Sequence, residues 1–294
     1  MPDISFIYLT NRPGGIDLLG MSLSGQMKNI DEISPELQRQ FKDAKPNWEL
    51  IVVDDYSNRF ERGEAAKYLS SLGLPLSYYG KSKDKWYKDA RQGLANAMNT
   101  GLIVARSPYV VFLHDYSLYP SWAPAAWLHS LQNNERSLVH GIAMIFTSKP
   151  PDLTDDIYTW NEIVLTQERI WFPDKFELFY VGMPMTFFEK TGGIDERGDY
   201  CGYFNLASVI RQAFILDYQL KVVSGLYCWQ VDHRQWGVPA VRLTSDQRMF
   251  DNLWKGWGDV TALKTMPFWT VPSANGFNLV EEQRLIRQHM EVKK

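Results

Sequence analysis

The sequence predicts an α/β fold in which helices flank a mostly parallel sheet. Two apolar runs are followed directly by acidic residues: residues 49–53 lead into Asp54-Asp55, and residues 109–113 lead into His114-Asp115. Strand and helix patterns alternate up to about residue 115, and this order implies parallel pairing through right-handed crossovers. In such a sheet the ligand crevice lies beyond the carboxyl ends of the strands, so the sequence places these acidic residues at a ligand site.

Each predicted element of this first part rests on apolar spacing and on turn residues. The first apolar run is followed by a Gly/Pro turn at residues 11–15, and the later strands are short and rich in Val, Leu and Tyr. The predicted strands are residues 4–9, 50–53, 74–79 and 109–113, and the predicted helices are residues 16–27, 35–43, 62–72 and 87–105.

After residue 120 the elements become mixed, and from Tyr227 onward the chain is rich in Trp without a clear periodicity. We therefore predict a main domain at residues 1–226 and an irregular C-terminal extension at residues 227–294 that packs on it. The strands predicted in this part are residues 138–146, 178–185, 220–223 and 227–231, and the helices are residues 204–216 and 279–290.

Composition limits the function before any motif is considered. The chain has 294 residues, of which 45% are hydrophobic, and this is enough for a sizeable core. A net charge of −3 gives no general attraction to nucleic acid, so no nucleic-acid partner is predicted. Two cysteines form neither a disulfide framework nor a four-cysteine zinc site. Because no signal peptide and no transmembrane segment is evident, we predict a cytoplasmic protein.

Five motifs follow one another in a specific order. They are Leu9-Thr10-Asn11-Arg12-Pro13, Ser22-Leu23-Ser24-Gly25-Gln26, Val53-Asp54-Asp55-Tyr56-Ser57, the helix from Gly93 through Ala97-Met98-Asn99-Thr100-Gly101, and Lys190-Thr191-Gly192-Gly193-Ile194-Asp195-Glu196. In this order, over residues 4–216, the chain resembles the inverting GT-A glycosyltransferases of family 2. The resemblance implies a GT-A fold, which is a Rossmann-like, mostly parallel sheet flanked by helices.

The resemblance also implies a reaction. The protein would transfer a sugar, with inversion, from a nucleoside diphosphate sugar to a glycan or another hydroxyl acceptor, as in polysaccharide biosynthesis. Asp54 would accept a hydrogen bond from the base or ribose of the donor. The other residues implied for the donor pocket are Thr10, Arg12, Asp55, Lys88, Arg91 and His114, of which Lys88 or Arg91 would contact the diphosphate.

A divalent cation, Mn²⁺ or Mg²⁺, is implied at the second acidic strand end. Asp115 would hold the cation, which would bridge the phosphates as a Lewis acid. The chain has His114-Asp115-Tyr116 where the family has Asp-x-Asp, and a His nitrogen ligand suits Mn²⁺ better than Mg²⁺. His233 is the candidate for a further ligand, because a later His completes the metal site in several GT-A enzymes.

The general base also departs from the family pattern. The family's Glu-Asp pair aligns with Phe204-Asn205, and Asn205 cannot take a proton. Asp199 or Glu196, a few residues upstream, is therefore expected to act as the base, and we prefer Asp199.

Other interpretations of these patterns stay open. Asp54 and Asp55 are also typical of a turn or a helix cap. The incomplete Asp-x-Asp and Glu-Asp motifs would suit a GT-A-like module that binds a nucleotide or glycan without catalysis. A nucleotidyltransferase of similar layout is a third hypothesis, for which Asn11-Arg12-Pro13-Gly14-Gly15 is a faint match to a Gly-rich loop.

Overall fold

The structure of the protein is a computed structural model. The structure describes residues 1–11, 14–32, 34–41, 43–82, 93–113, 115, 117–145, 180–194, 209–210, 212–213 and 215–230. Within these residues eight strands form one sheet in the order β3-β2-β1-β4-β7-β6-β8-β5. The strands are β1 (Ile4–Thr10), β2 (Trp48–Asp54), β3 (Leu76–Gly80), β4 (Tyr109–Leu113), β5 (Ser117–Leu118), β6 (Ser137–Ile145), β7 (Val181–Pro184) and β8 (Gln219–Gln230).

Helices cover both faces of this sheet. They are α1 (Ile16–Leu23), α2 (Lys28–Glu32), α3 (Pro35–Phe41), α4 (Arg59–Ser71), α5 (Leu94–Val104), α6 (Ala123–Gln132) and α7 (Met185–Thr191). None of the helices in the described ranges is long and apolar enough to cross a bilayer.

The first four strands are parallel, and β1 lies between β2 and β4. Every residue of β1 is buried, because helices cover the sheet on both sides. Side chains alternate between the faces: Phe6 and Tyr8 join one apolar cluster, whereas Ile7 and Leu9 join the other. The predicted α/β fold with a mostly parallel, helix-flanked sheet is confirmed.

The second half of the sheet is mixed. β7 pairs antiparallel with both β4 and β6, β6 pairs parallel with β8, and β5 pairs antiparallel with β8. The register of β6 and β8 shifts between His140 and Ile142. At this shift the ring of Tyr180 occupies the place that a Cβ at Gly141 would take, and the Gly141 amide donates to the Tyr180 carbonyl over 2.9 Å.

Some boundaries differ from the sequence prediction for local reasons. α4 begins at Arg59, three residues earlier than expected, because Asn58 and Glu61 form a capping box. The helix predicted over residues 16–27 ends at Leu23, and Gly25 follows in a left-handed conformation with φ of 74°. β8 is one strand across the predicted domain boundary after residue 226; the division into two parts stays a prediction, since residues 231–294 lie outside the described ranges.

An ion pair between the buried Glu49 and the partly exposed Arg106 closes the amino edge of the parallel strands. Glu49 is 2% exposed and accepts from Arg106 three times: from the backbone amide at 2.8 Å, from Nε at 2.9 Å and from Nη2 at 2.6 Å. Ser5 donates to the same carboxylate at 2.7 Å. Since Ser5 is in β1 and Glu49 is in β2, this network fixes the loop before β4 to both strands.

Candidate active site

Four of the predicted site residues, Thr10, Asp54, Asp55 and Asp115, lie at one edge of the sheet. Thr10 and Asp54 are register partners at the carboxyl ends of β1 and β2. Leu113, at the end of β4, pairs with Tyr8 of β1. Asp115 follows Leu113 by two residues, just as Thr10 follows Tyr8. The structure therefore brings the two acidic strand ends to either side of β1, at the edge where open α/β sheets bind ligands.

The carboxylate of Asp54 is buried and forms hydrogen bonds with neighbouring parts of the chain. Asp54 is 1% exposed. Its Oδ1 accepts from the amides of Tyr56 at 3.0 Å and Ser57 at 2.9 Å, and its Oδ2 accepts from the Tyr79 hydroxyl at 3.0 Å. Burial, and next the charge of Asp54, raise the pKa of Tyr79 well above its usual value, so the hydroxyl stays protonated and donates. Asp54 thus connects the loop after β2 to β3.

Asp55 lies in a more open position than Asp54. Its backbone amide donates to the Thr10 carbonyl over 2.9 Å, which continues the pairing of β1 and β2. Its side chain is partly exposed and accepts from the Ser82 amide at 2.9 Å and the Ser82 hydroxyl at 2.6 Å. The carboxylate therefore connects the loop after β2 to the segment after β3, and Asp55 is less buried than Asp54.

Arg62 holds the loop between β2 and α4 from the helix side. Its Nη1 donates to the Ser57 carbonyl and, over 3.5 Å, to the Asp54 carbonyl. Asn58 accepts from the amides of Phe60 at 2.9 Å and Glu61 at 3.1 Å, which fixes the first turn of α4. Sequence analysis did not select Arg62, although the capping-box pattern of Asn58 and Glu61 would have started the helix early enough to place Arg62 beside the loop.

Asp115 supplies one buried carboxylate at the second strand end. It is 6% exposed, and its carbonyl accepts from the Ser117 hydroxyl over 3.5 Å. Among the described residues, no three side chains of the metal-binding types come together. One carboxylate fits a Mg²⁺ or Mn²⁺ site in which substrate phosphates and water supply the other ligands, but it does not make a site formed by protein ligands alone.

The remaining predicted site residues lie outside the described part of the chain. The predictions that concern them are therefore unchanged by the structure: Arg12, Lys88, Arg91, His114, Glu196, Asp199 and His233.

The structure joins two of the sequence motifs that lie far apart in the chain. Asn99, in α5, donates from Nδ2 to the Ile194 carbonyl at 2.8 Å and accepts from the Ile194 amide at Oδ1, also at 2.8 Å. Ile194 follows the Gly192-Gly193 turn and precedes Asp195. Sequence analysis treated Asn99 only as a motif residue, because its contact lies 95 positions away.

A helix-flanked sheet with parallel strands β3-β2-β1-β4, continued by the antiparallel β7, matches the GT-A class of Rossmann-like α/β proteins. Within that class, the model of glycosyl transferase family 2 matches residues 28–190, which is more than half of the chain. The chain belongs to this family, which confirms the predicted family. None of the curated proteins matches the sequence.

Solved structures show the same fold at low sequence identity. The chain is similar to S. aureus TarS, with 13% identity and a TM-score of 0.52, over 87% of this chain and 42% of TarS. The S. aureus TarS 1–349 structure in complex with UDP-GlcNAc is 14% identical with a TM-score of 0.51, over 78% of this chain and 58% of that chain. The chain thus spans less than half the length of the TarS chain matched first.

Proposed function

We propose that this protein transfers a sugar from a nucleoside diphosphate sugar to a glycan or another hydroxyl acceptor. The observation that carries the proposal is that Thr10 ends β1, while Asp55 and Asp115 follow the carboxyl ends of the two neighbouring parallel strands, β2 and β4. Membership of glycosyl transferase family 2 supports it, as do the UDP and UDP-GlcNAc complexes of S. aureus TarS.

In this proposal Asp55 and Asp54 have different roles. A nucleobase N–H or a ribose hydroxyl needs an acceptor that it can reach, and the side chain of Asp55 is partly exposed. Asp54, with 1% exposure, instead holds the loop that presents Asp55. We assign Thr10 and, from its place in the sequence, Arg12 to the same pocket. This reverses the emphasis of the sequence prediction, in which Asp54 was the main acceptor.

The diphosphate requires positive charge at the other side of the pocket. We assign this role to Lys88 or Arg91 and to a Mn²⁺ or Mg²⁺ ion at Asp115, with His114 and His233 as further candidates. When bound, the cation would neutralise charge on the departing diphosphate as a Lewis acid. Asp115 would hold the metal ion in place, and the positively charged side chain of Lys88 or Arg91 would orient the phosphates.

The acceptor hydroxyl must lose its proton as it attacks the sugar. We propose Asp199 as the proton acceptor, with Glu196 as the alternative, and a transfer with inversion at the anomeric carbon. A carboxylate acts as such a base when it lies within hydrogen-bond reach of the attacking hydroxyl. The cytoplasmic location remains a prediction from sequence.

A second function is favoured by one specific observation. Only Asp115 represents the Asp-x-Asp pair, and Asn205 stands where the family has its base. A module that binds a nucleotide or glycan without catalysis would need neither carboxylate. Both proposed functions include a nucleotide pocket at Asp55. They differ in whether the protein transfers the sugar.

Thermal-shift titration with nucleoside diphosphates and sugar nucleotides, with and without Mn²⁺, tests the donor pocket. We expect at least one nucleotide to raise the melting temperature, and Asp55→Asn to remove that rise. Asp217→Asn is the matched control, because Asp217 is 81% exposed in its side chain and lies two residues before Gln219, where β8 begins. If no nucleotide stabilises the protein even with metal present, the donor pocket is disproved.

A turnover assay with the stabilising donor separates the two functions. We expect the wild-type protein to transfer sugar and Asp199→Asn to abolish transfer while donor binding is retained. Unchanged turnover in that variant would remove Asp199 from the role. Donor affinity that changes neither with Mn²⁺ nor in Asp115→Asn would contradict metal dependence. Donor binding without any sugar transfer would favour the non-catalytic module.

A further inference from the structure

The side chain of Asn99 acts on the backbone of Ile194 as a neighbouring strand would. A carboxamide has both a donor and an acceptor, and here each is matched with a backbone group of the same residue at 2.8 Å. Both residues are fully buried, with 0% exposure. In a water-excluded site each of these bonds would be costly to lose, so the position of Ile194 relative to α5 is closely defined.

The chain before Ile194 is fixed as well. α7 ends at Thr191, and Gly192 and Gly193 follow with φ of 76° and 100°, a conformation that favours glycine. The Gly193 amide donates to the Phe188 carbonyl at 3.0 Å, and the Thr191 hydroxyl contacts the Gly193 carbonyl at 3.1 Å. These contacts fix the turn after α7, and the hydrogen bonds from Asn99 fix Ile194 at the end of that turn.

Helix α5, which carries Asn99, packs directly on β1. We call β1 the donor strand, because it ends in the proposed pocket for the sugar donor. A Cβ added to Gly101 would overlap Ile7 of β1. The backbone of α5 at Gly101 therefore packs directly on the Ile7 side chain, and β1 ends at Thr10 in the proposed donor pocket. Asn99 consequently connects two parts of the proposed site: the donor strand through α5, and the acidic segment that begins at Asp195.

We propose that Asn99 is a positioning residue for the transfer step. It holds the start of the segment containing Glu196 and Asp199 at a fixed place relative to the donor strand, without touching either substrate. This inference rests on the proposed function, in which one of these two carboxylates takes the acceptor proton. Since a displacement of about 1 Å can cost roughly a hundredfold in rate, a loss of this connection should reduce turnover much more than donor binding.

The test compares Asn99→Asp and Asn99→Ser with Thr100→Val in the full chain. Asn99→Asp removes the donor to the Ile194 carbonyl, and Asn99→Ser is a smaller, uncharged change in case a buried carboxylate prevents folding. Thr100 is the matched control, because it is the neighbour of Asn99 in the same helix and its buried hydroxyl donates to the Asn96 carbonyl over 2.7 Å, within that helix. Donor affinity, kcat and KM are measured per folded molecule.

We expect kcat to fall by about ten- to a hundredfold in the Asn99 variants, with donor affinity within about twofold of wild type. Thr100→Val should change neither quantity. Unchanged kcat in folded Asn99→Ser, or equal losses in kcat and donor affinity in all three variants, would overturn the proposal. An inactive wild-type protein would instead disprove the proposed function, whereas an active wild type with insensitive Asn99 variants would disprove the positioning role alone.

Discussion

At the scale of single residues, Asp54 and Asp55 show how two neighbouring carboxylates acquire different roles. The sequence predicted that both lie at a strand end, and the structure places them there. It could not predict which one is buried, because that depends on the Tyr79 hydroxyl, which lies 25 positions later in the chain. The partner of Asp55 is Ser82, which is also supplied by the segment around β3.

Exchanging each Asp for Asn should separate stability from donor binding. Asp54→Asn replaces one of two carboxylate oxygens, which together accept three hydrogen bonds, with an NH2 donor, so we expect a loss of about 1–3 kcal/mol in the free energy of unfolding. Asp55→Asn should change stability less and weaken donor binding by about tenfold or more. Urea unfolding and calorimetric titration measure the two effects. Equal donor affinity in wild type and Asp55→Asn would contradict the assignment.

His140 gives a prediction about pH. Burial lowers its pKa to about 4, against the ordinary value of 6.5, so the folded protein holds a neutral imidazole. The stabilising contribution is complete above pH 6.5 and is lost as the pH falls toward 4, because the unfolded chain takes up the proton first.

The loss should reach about 3 kcal/mol in the free energy of unfolding between those limits. We expect His140→Gln to flatten the dependence of unfolding free energy on pH over this range, measured by urea titration. The exposed His129 offers the matched control: His129→Gln should keep the wild-type slope. Identical slopes for wild type and His140→Gln would show that His140 does not titrate in this way.

At the scale of elements, the sequence predicted the buried strands best and the helix ends least well. β1, β2 and β4 are continuous apolar runs, which is what burial on both faces requires. The start of α4 depends on a side-chain cap, and the end of α1 is followed by the left-handed Gly25. The parallel pairing of β6 with β8 joins residues about 80 positions apart, so no local pattern could predict it.

Two glycine positions should respond in opposite directions to the same substitution. Gly141→Ala would place a Cβ in the Tyr180 ring and 2.7 Å from the Leu226 carbonyl, so we expect a loss of about 1–3 kcal/mol in the free energy of unfolding. Gly63, in α4, has no atom within 4 Å of an added Cβ, and Gly63→Ala should stabilise by about 0.5–1 kcal/mol. Thermal unfolding distinguishes them, and a neutral Gly141→Ala would mean that the strands separate at little cost.

At the scale of the whole molecule, the two edges of the parallel strands have separate functions. The amino edge holds the Glu49–Arg106 ion pair, whereas the carboxyl edge holds Thr10, Asp55 and Asp115. Ser5 and Thr10 are five residues apart in β1, which is roughly 17 Å along a strand. The sequence predicted the ligand edge from the acidic strand ends, but the ion pair at the other edge involves residues 57 positions apart and gave no recognisable pattern.

Glu49→Gln should therefore affect stability without affecting the donor pocket. It removes the charge from a carboxylate that is 2% exposed, but Arg106 is 41% exposed in its side chain and keeps contact with water, so we expect a loss of about 1–3 kcal/mol. Donor affinity should stay within about twofold of wild type. Chemical unfolding and calorimetric titration provide the two measurements, and a large loss of affinity would mean that the edges are coupled through β1 and β2.

The insertion of β7 between β4 and β6 has a consequence for synthesis of the protein on the ribosome. β1 to β4 can pair with one another as soon as they emerge, but the outer side of β4 receives its partner only when Val181–Pro184 has been made. At about 5–20 residues per second, the intervening chain takes several seconds to synthesise. Throughout that interval β4, with its Val110, Val111 and Phe112, is an uncovered apolar edge strand, and newborn chains are open to pairing with one another there.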